Sequence, residues 1–301
     1  MHAKPIDVVI LTEDRYAQPD LADWYQAQIF REEALVAEAL VELGLQVERR
    51  AWSDNHMDWA RCRCVLFRST WDYFDRFAEF SPWLERVSAA TRLFNDAELI
   101  RWNVDKHYLA DLAVQGVAVV PTRFVERGAS IELAAIMAAE GWDEVVFKPA
   151  VSGAARLTYR VDKTSLAEHE AVFARCVAGE AMMVQPFERG IVDEGELSVI
   201  VIDGQTTHAI RKTARAGDFR VQDDHGGTVH AHQPDAAQRI FAEAAVAACP
   251  SRPLYARVDF VRSGSGGYRL MELELVEPEL FFRFHPPAAV ALARALAEKL
   301  R

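Results

Sequence analysis

Toward the C-terminus, two short apolar segments carry carboxylates at alternating positions. Asp259 lies in Tyr255-Ala-Arg257-Val-Asp259-Phe-Val, and Glu272 and Glu274 lie in Met271-Glu-Leu-Glu-Leu-Val-Glu277-Pro278. A β-strand sends successive side chains to opposite faces. Glu272 and Glu274 therefore share one face of their segment, and Met271, Leu273 and Leu275 the other. If the two segments pair through the Ser-Gly-Ser-Gly-Gly turn at 263–267, Asp259 joins the two glutamates. Three carboxylates gathered in one place repel unless a cation lies among them. Mg²⁺, a hard ion that takes carboxylate and phosphate oxygens together, is the natural one. The competing explanation is a solvated strand face that carries acids by chance.

Other residues point to an anionic ligand. Lys148 follows Val145-Val-Phe147 directly and precedes Pro149, a setting in which an unpaired buried charge is costly. The loop Ser152-Gly153-Ala154-Ala155 has side chains small enough for its backbone N–H groups to approach phosphate oxygens, and Arg156 adds charge beside it. Lysines and arginines cluster between Arg211 and Arg220 in a chain whose net charge is −11. Such a balance argues against general nucleic-acid affinity and for a local positive pocket that takes a small anion. His225, His230 and His232 form a histidine-rich stretch, but no further spaced ligand supports zinc, and a solvated or substrate-side role is expected. Cys62, Cys64, Cys176 and Cys249 lack a disulfide-framework spacing. A reduced, cytoplasmic setting follows. No apolar run has the length of a membrane helix, and the N-terminus lacks the apolar core of a signal peptide.

The elements that must hold these residues alternate along the chain. Strands are expected at 6–11, 45–52 and 64–67, and helices at 30–43 and 82–90, with Pro82 at a helix start. That order implies an α/β layer with a mainly parallel sheet. Further on, helices are expected at 103–113, 130–140, 166–178 and 236–248, and strands at 117–122, 145–149, 158–161 and 182–187. A hairpin is expected around Asp203-Gly204, and the last helix after Pro286-Pro287. With 301 residues, half of them hydrophobic, the chain is long enough for two or three units, the first ending near Asn103. Arg68, Ser69, Thr70 and Asp72 follow the end of a strand of the first unit, where α/β sheets bind ligands, and are substrate-side candidates. Glu277, Glu279 and Arg283 are a second set, and Trp71, Tyr73, Trp83 and Trp102 read as core or interface aromatics.

Taken in order, Asn103-Val-Asp-Lys106, Val146-Phe-Lys148-Pro149, Ser152-Gly-Ala-Ala155, Val184-Gln185-Pro186-Phe187, Lys212, Arg257-x-Asp259 and Glu272-x-Glu274 resemble the ATP-grasp superfamily over nearly the whole chain. The resemblance is to its glutathione-synthetase-like branch. The phrases Arg68-Ser-Thr-Trp-Asp-Tyr73, Arg101-Trp-Asn-Val-Asp-Lys-His-Tyr108 and Met271-Glu-Leu-Glu-Leu-Val-Glu-Pro278 are similar to the D-cycloserine (O-ureido-D-serine) cyclo-ligase and its relatives. The architecture this implies is α/β with α+β parts: an N-terminal α/β substrate-side sheet domain at 1–103, followed by two α+β subdomains at 104–185 and 186–301 that clamp ATP, the last with the metal site.

The resemblance implies roles residue by residue. Lys106 and Lys148 contact nucleotide phosphates, and Ser152, Gly153 and Ala154 belong to a loop that closes over them. This loop has one glycine where related loops often have two or three. Gln185, Pro186 and Phe187 form the strand that reads adenine through its backbone, with Glu188 or Asp193 reaching the ribose. Lys212, Arg220 and Arg257 are the catalytic cations near the transferred phosphate, although Gln222 stands where relatives often have asparagine. Asp259, Glu272 and Glu274 hold Mg²⁺, with Glu274 replacing a common asparagine and two ions expected.

The implied reaction is ATP-dependent activation of a small amino-acid-like carboxylate as an acyl phosphate, for attack by an amine-type nucleophile. Attack within one molecule closes a ring, and attack by a second molecule makes an ordinary amino-acid or peptide ligase. The alternatives are a nucleotide-binding regulator without turnover and a kinase that stops at a phosphorylated product. A homo-oligomer is compatible with the resemblance. No nucleic-acid or membrane partner is implied.

Overall fold

The structure, a computed structural model, describes residues 6–153, 155–215, 217–221, 226–264 and 266–301. Ala154, Gln222 and His225 lie outside these residues. Within them the fold is mixed α/β, built on three sheets.

The first sheet is parallel, in the order β2-β1-β3-β4, with β1 at Ile6–Thr12, β2 at Val47–Ala51, β3 at Cys62–Ser69 and β4 at Arg92–Phe94. The apolar runs of β1 and β3 suit strands buried on both faces. Val8, Ile10, Cys64 and Leu66 pack with α1 (Trp24–Glu42), and Val9, Leu11, Val65 and Phe67 with α2 (Phe77–Ala90). α1 starts earlier than the expected residue 30 because Asp23 caps it, its side chain accepting from the Gln26 N–H. Pro82 lies inside α2 rather than at its start.

Two helices, α3 (Ala97–Asn103) and α4 (Tyr108–Val114), occupy the stretch expected as one. Asp96 caps α3, and the Asp105 carboxylate accepts from the His107 N–H in the turn between them. That turn, not a helix face, carries Lys106. Residues 117–122 make only a bridge, Val119 to Leu270, against the edge of the third sheet.

The second sheet runs β5-β8-β6-β7 in antiparallel pairs, from β5 (Arg123–Val125), β6 (Glu144–Pro149), β7 (Tyr159–Asp162) and β8 (Met182–Pro186). Val145, Phe147 and Val184 pack with residues of α5 (Leu133–Glu140) and α6 (Leu166–Gly179). Strand alternation then leaves Val146, Lys148 and Gln185 on the other face.

The third sheet, β11-β10-β9-β12-β13, is antiparallel. Its strands follow the short α7 (Gly190–Asp193): β9 (Glu196–Ile202) and β10 (Gln205–Thr213) flank the Asp203-Gly204 turn, where both residues have positive φ, as an Asp-Gly hairpin turn requires. β11 (Thr228–His232), α8 (Ala236–Ala247), β12 (Tyr255–Arg262) and β13 (Tyr268–Glu274) complete it. One face, with Val199, Val201, Val258, Phe260 and Leu273, packs on α8, α3 and α4. On the other face, Ile200, Ile202 and Tyr255 pack on α9 (Pro287–Lys299), which shares its core with α1. Further along that face come Ser198, Arg257 and Asp259.

Asp259 pairs in register with Glu272, and Arg257 with Glu274. The register shifts between Asp259 and Phe260, which leaves Met271 as an extra residue on β13. A bulge of this kind re-aims a side chain. Met271, expected to lie with Leu273 and Leu275, instead packs on Ile191, Val221 and Val261.

Candidate active site

One cavity of about 840 Å³ is lined by residues from all three parts of the chain. Lys106, Lys148, Ser152, Gly153, Gln185, Pro186, Phe187 and Glu188 reach it from the middle of the chain. Lys212, Arg220, Arg257, Asp259, Glu272, Glu274 and Glu277 reach it from the third sheet and its flanks, and Asp72 from the first unit. Asp193 is exposed on α7 and does not line the cavity, so of the two acids offered for the ribose only Glu188 is present there. Glu188 lies 3.2 Å from Arg269.

The carboxylates and cations interlock. Asp259 accepts from Ser198 Oγ at 2.5 Å and from Arg257 Nη2 at 2.9 Å, and Lys212 Nζ lies 3.3 Å away. Burial disfavours its charge, but Arg257 and Lys212 outweigh that and hold its pKa down to about 2. Lys212 also donates to Glu196 at 2.9 Å. Arg257 bridges Asp259 to Glu274. Burial, with Glu272 and Asp259 nearby, pushes Glu274 up to about 7 against the pull of Arg257. Lys106 Nζ donates to the Ser152 carbonyl at 2.5 Å and lies 3.1 Å from Glu272. Burial opposes the charge of Glu272 too, yet Lys106 and Lys148 hold it below its ordinary value.

Lys148 differs from the other cations. Among the described residues it makes no ion pair or side-chain hydrogen bond, while burial and the charge of Lys106 push its pKa down. A desolvated ammonium facing an open cavity is a receptor for an anion. Arg220 lines the same space with its guanidinium against Asp218, at 2.7 Å.

Asp259, Glu272 and Glu274 supply hard oxygen donors on paired strands, but among the described residues no group of three acids, histidines or cysteines is close enough to cage an ion alone. This arrangement suits Mg²⁺, which binds through one or two carboxylates and completes its shell with phosphate oxygens and water.

Four of the residues expected to meet substrate lie elsewhere. Arg68 and Thr70 are buried behind the cavity wall, and Ser69 bonds to Thr12 and Glu33. Arg68 is committed to Glu32 and to the Pro278 carbonyl, so it is not placed to clamp a substrate carboxylate. Arg283 pairs with Glu279 and packs on Phe281 and Phe284 rather than lining the cavity. The wall carries residues that the sequence did not point to. Tyr16, Tyr25 and Phe74 line it, and so does Trp71, expected as a core or interface aromatic. Trp71 meets Tyr16 edge-on at 5.9 Å. Val146, Ile191 and Met271 form an apolar part near Phe187. No local pattern marks Tyr16 or Tyr25, because only the tertiary fold brings them to Trp71.

Residues 8–95 match the family described as the N-terminal domain of D-cycloserine synthetase DcsG. The cycloserine biosynthesis protein DcsG of Streptomyces lavendulae is 37% identical over 283 residues, covering 88% of this chain and 92% of that protein.

The chain belongs to the D-cycloserine synthetase family.

The crystal structure of D-cycloserine synthetase DcsG superposes with a TM-score of 0.84 at 34% identity, covering 98% of this chain and 100% of the other. The ATP-grasp ligase PsnB, solved with a precursor peptide and AMPPNP, has a TM-score of 0.64 at 18% identity, covering 100% of this chain and 99% of that one. D-alanine–D-alanine ligase from Bacillus anthracis, solved with ATP, has a TM-score of 0.69 at 14% identity, covering 98% and 97%. The family member's fold is thus that of ATP-grasp ligases, and the protein is an ATP-dependent ligase. Among the described residues no helix is long and apolar enough to cross a membrane.

Proposed function

We propose that the protein activates the carboxylate of an amino-acid-like substrate with ATP and closes a ring within that molecule, with O-ureido-D-serine as the substrate to test first. The observation that carries this reading is the meeting, in one cavity, of Lys148, which makes no ion pair or side-chain hydrogen bond among the described residues, the Lys106–Glu272 and Arg257–Asp259 pairs, and a separate aromatic and acidic wall. The first group of residues suits nucleotide phosphates and the second a small polar substrate. The relatives named for cycloserine synthesis favour ring closure over joining two molecules. In this reading residues 1–103 provide the substrate wall together with the stretch after β13, and the rest of 104–185 and 186–301 clamps the nucleotide.

The substrate carboxylate oxygen attacks the γ-phosphorus, and the bond from that phosphorus to the ADP oxygen breaks. Lys148 and Lys106 hold phosphate oxygens, and Lys212, Arg257 and Arg220 offset the charge that spreads over the transferred group. An amine-type nitrogen of the same molecule then attacks the acyl carbon, loses its proton and expels inorganic phosphate. The Ser152–Gly153 loop keeps water from the acyl phosphate. Gln185, Pro186 and Phe187 hold the base, with Glu188 toward the ribose. Asp259, Glu272 and Glu274 would hold Mg²⁺, in a two-ion arrangement that fits three acids, and the metal supplies charge neutralisation and alignment of the phosphates.

The test is ADP release from Mg-ATP with O-ureido-D-serine and a panel of amino acids, followed by mass spectrometry. A cyclised product supports the proposal. A joined pair would make the protein an intermolecular ligase, and a stable phosphorylated product would make it a kinase. Bound ATP without turnover across the panel would favour a nucleotide-binding regulator.

A further inference from the structure

The stretch after β13 carries Glu277, Glu279 and Phe281 to the cavity, yet it belongs to no strand or α-helix. Its backbone is held from outside. Trp71 Nε1 donates to the Glu277 carbonyl at 2.9 Å and Arg68 Nη2 to the Pro278 carbonyl at 2.7 Å. The Glu32 carboxylate accepts from the Leu280 N–H at 2.6 Å and from the Phe282 N–H at 3.3 Å, while Arg68 Nη2 lies 3.0 Å from it. Between those two amides Phe281 adopts φ 53, a left-handed conformation that a bulky residue keeps only when its surroundings impose it. So held, its ring lies 5.9 Å from Lys212 Nζ and 5.8 Å from the Arg257 guanidinium.

Glu32 and Arg68 are 6% and 3% exposed, and Arg68 Nε and Nη1 have no hydrogen-bond partner among the described residues. A buried ion pair with unsatisfied donors is a poor way to stabilise a fold, and apolar replacements of both partners are often neutral. Its value lies in direction, because one carboxylate on α1 fixes two amides of a distant loop, and one arginine on β3 fixes a carbonyl.

We infer that Glu32 and Arg68 are positioning residues for the ligase reaction: they set residues 277–282 so that Glu277, Glu279 and Phe281 form the substrate side of the cavity beside Lys212 and Arg257. The inference rests on the proposed function for the identity of the substrate but not for the geometry. Neither residue touches the nucleotide side, so the two substrates of the reaction respond differently to their loss.

The experiment uses the full chain with Glu32→Gln/Arg68→Met and, separately, Arg68→Lys. The double variant is expected to raise KM for O-ureido-D-serine at least tenfold, with KM for ATP within twofold and the thermal midpoint near the wild-type value. Arg68→Lys, which keeps a charge and a donor, is expected to recover part of the loss. Unchanged KM for both substrates would overturn the inference. So would equal rises in both KM values together with a lowered thermal midpoint, the signature of a merely structural pair. If the wild-type protein does not consume O-ureido-D-serine, the proposed substrate fails, and amide hydrogen exchange then decides the positioning role. Faster exchange confined to residues 277–284 in the double variant upholds it, and an unchanged rate there overturns it.

Discussion

Replacing Lys148 by methionine is expected to move stability and nucleotide binding in opposite directions. Lys148 follows the buried Phe147 on β6 and faces the cavity, with no ion pair or side-chain hydrogen bond among the described residues. Burial and Lys106 lower its pKa, so the folded chain holds this proton less tightly than the unfolded chain. The charge therefore destabilises the unliganded fold below the folded pKa, and the penalty fades as pH rises toward the ordinary value of 10.5. Methionine has similar length and no charge, so Lys148→Met should stabilise the unliganded protein by about 1 kcal/mol near neutral pH, a typical single-site effect. Toward ATP the same change removes a charge-assisted hydrogen bond worth about 1.5–3 kcal/mol, which corresponds to about a 10- to 150-fold weaker Kd. Urea unfolding without nucleotide measures the first effect and calorimetric titration with Mg-ATP the second. A variant that is less stable than wild type and binds ATP equally well would refute both the unpaired-cation reasoning and the phosphate role.

Glu272→Gln keeps an acceptor for Lys106 but removes a negative charge from the Asp259–Glu272 pair of strands. ADP release should fall about 10²- to 10³-fold, the scale for one lost electrostatic contact in a transition state, while the thermal midpoint stays near wild type; full turnover would remove Glu272 from the metal site. His208 is buried, with Nε2 on the Leu280 carbonyl, and burial lowers its pKa to about 4 from 6.5. Because the unfolded chain takes up this proton first, stability is intact above pH 6.5 and is lost as pH falls toward 4, by about 3 kcal/mol in all. His208→Gln should flatten that part of the stability profile measured by denaturant titration, and an unchanged slope would count against it. A Cβ on Gly153 would meet the Phe74 ring at 2.6 Å. Gly153→Ala should therefore raise KM for ATP several-fold, and adding Phe74→Ala should relieve it. A Gly153→Ala enzyme with wild-type KM would show that the ring yields without cost.

Some of this site was written in local pattern. The alternation Val145-Val146-Phe147-Lys148 by itself sends Val145 and Phe147 one way and Lys148 the other, and the structure follows it because a strand has a period of two. The pairing of Asp259 with Glu272 followed from two apolar segments and a glycine-rich turn between them. Asp203-Gly204 announced its hairpin, and Pro287 the start of α9. In each case the deciding forces act within a few residues.

Other features depended on what covers what. Met271 changed faces because the register shifts by one residue against β12, a property of the pair and not of either strand. Lys106 left its expected helix because Asp105 closes a turn there. Arg68 reads as a substrate-side residue at a strand end, but α1 brings Glu32 over it and the chain after β13 brings the Pro278 carbonyl. Tyr16, Tyr25 and Trp71 meet only when three separate segments fold together. The sequence by itself determined which residue types the chain brings to phosphates and carboxylates, and the strands that carry them, because side-chain chemistry and backbone period are local. The tertiary structure alone decided which of them face one cavity and which lie behind its wall, because burial and ion pairing depend on segments far apart in the chain.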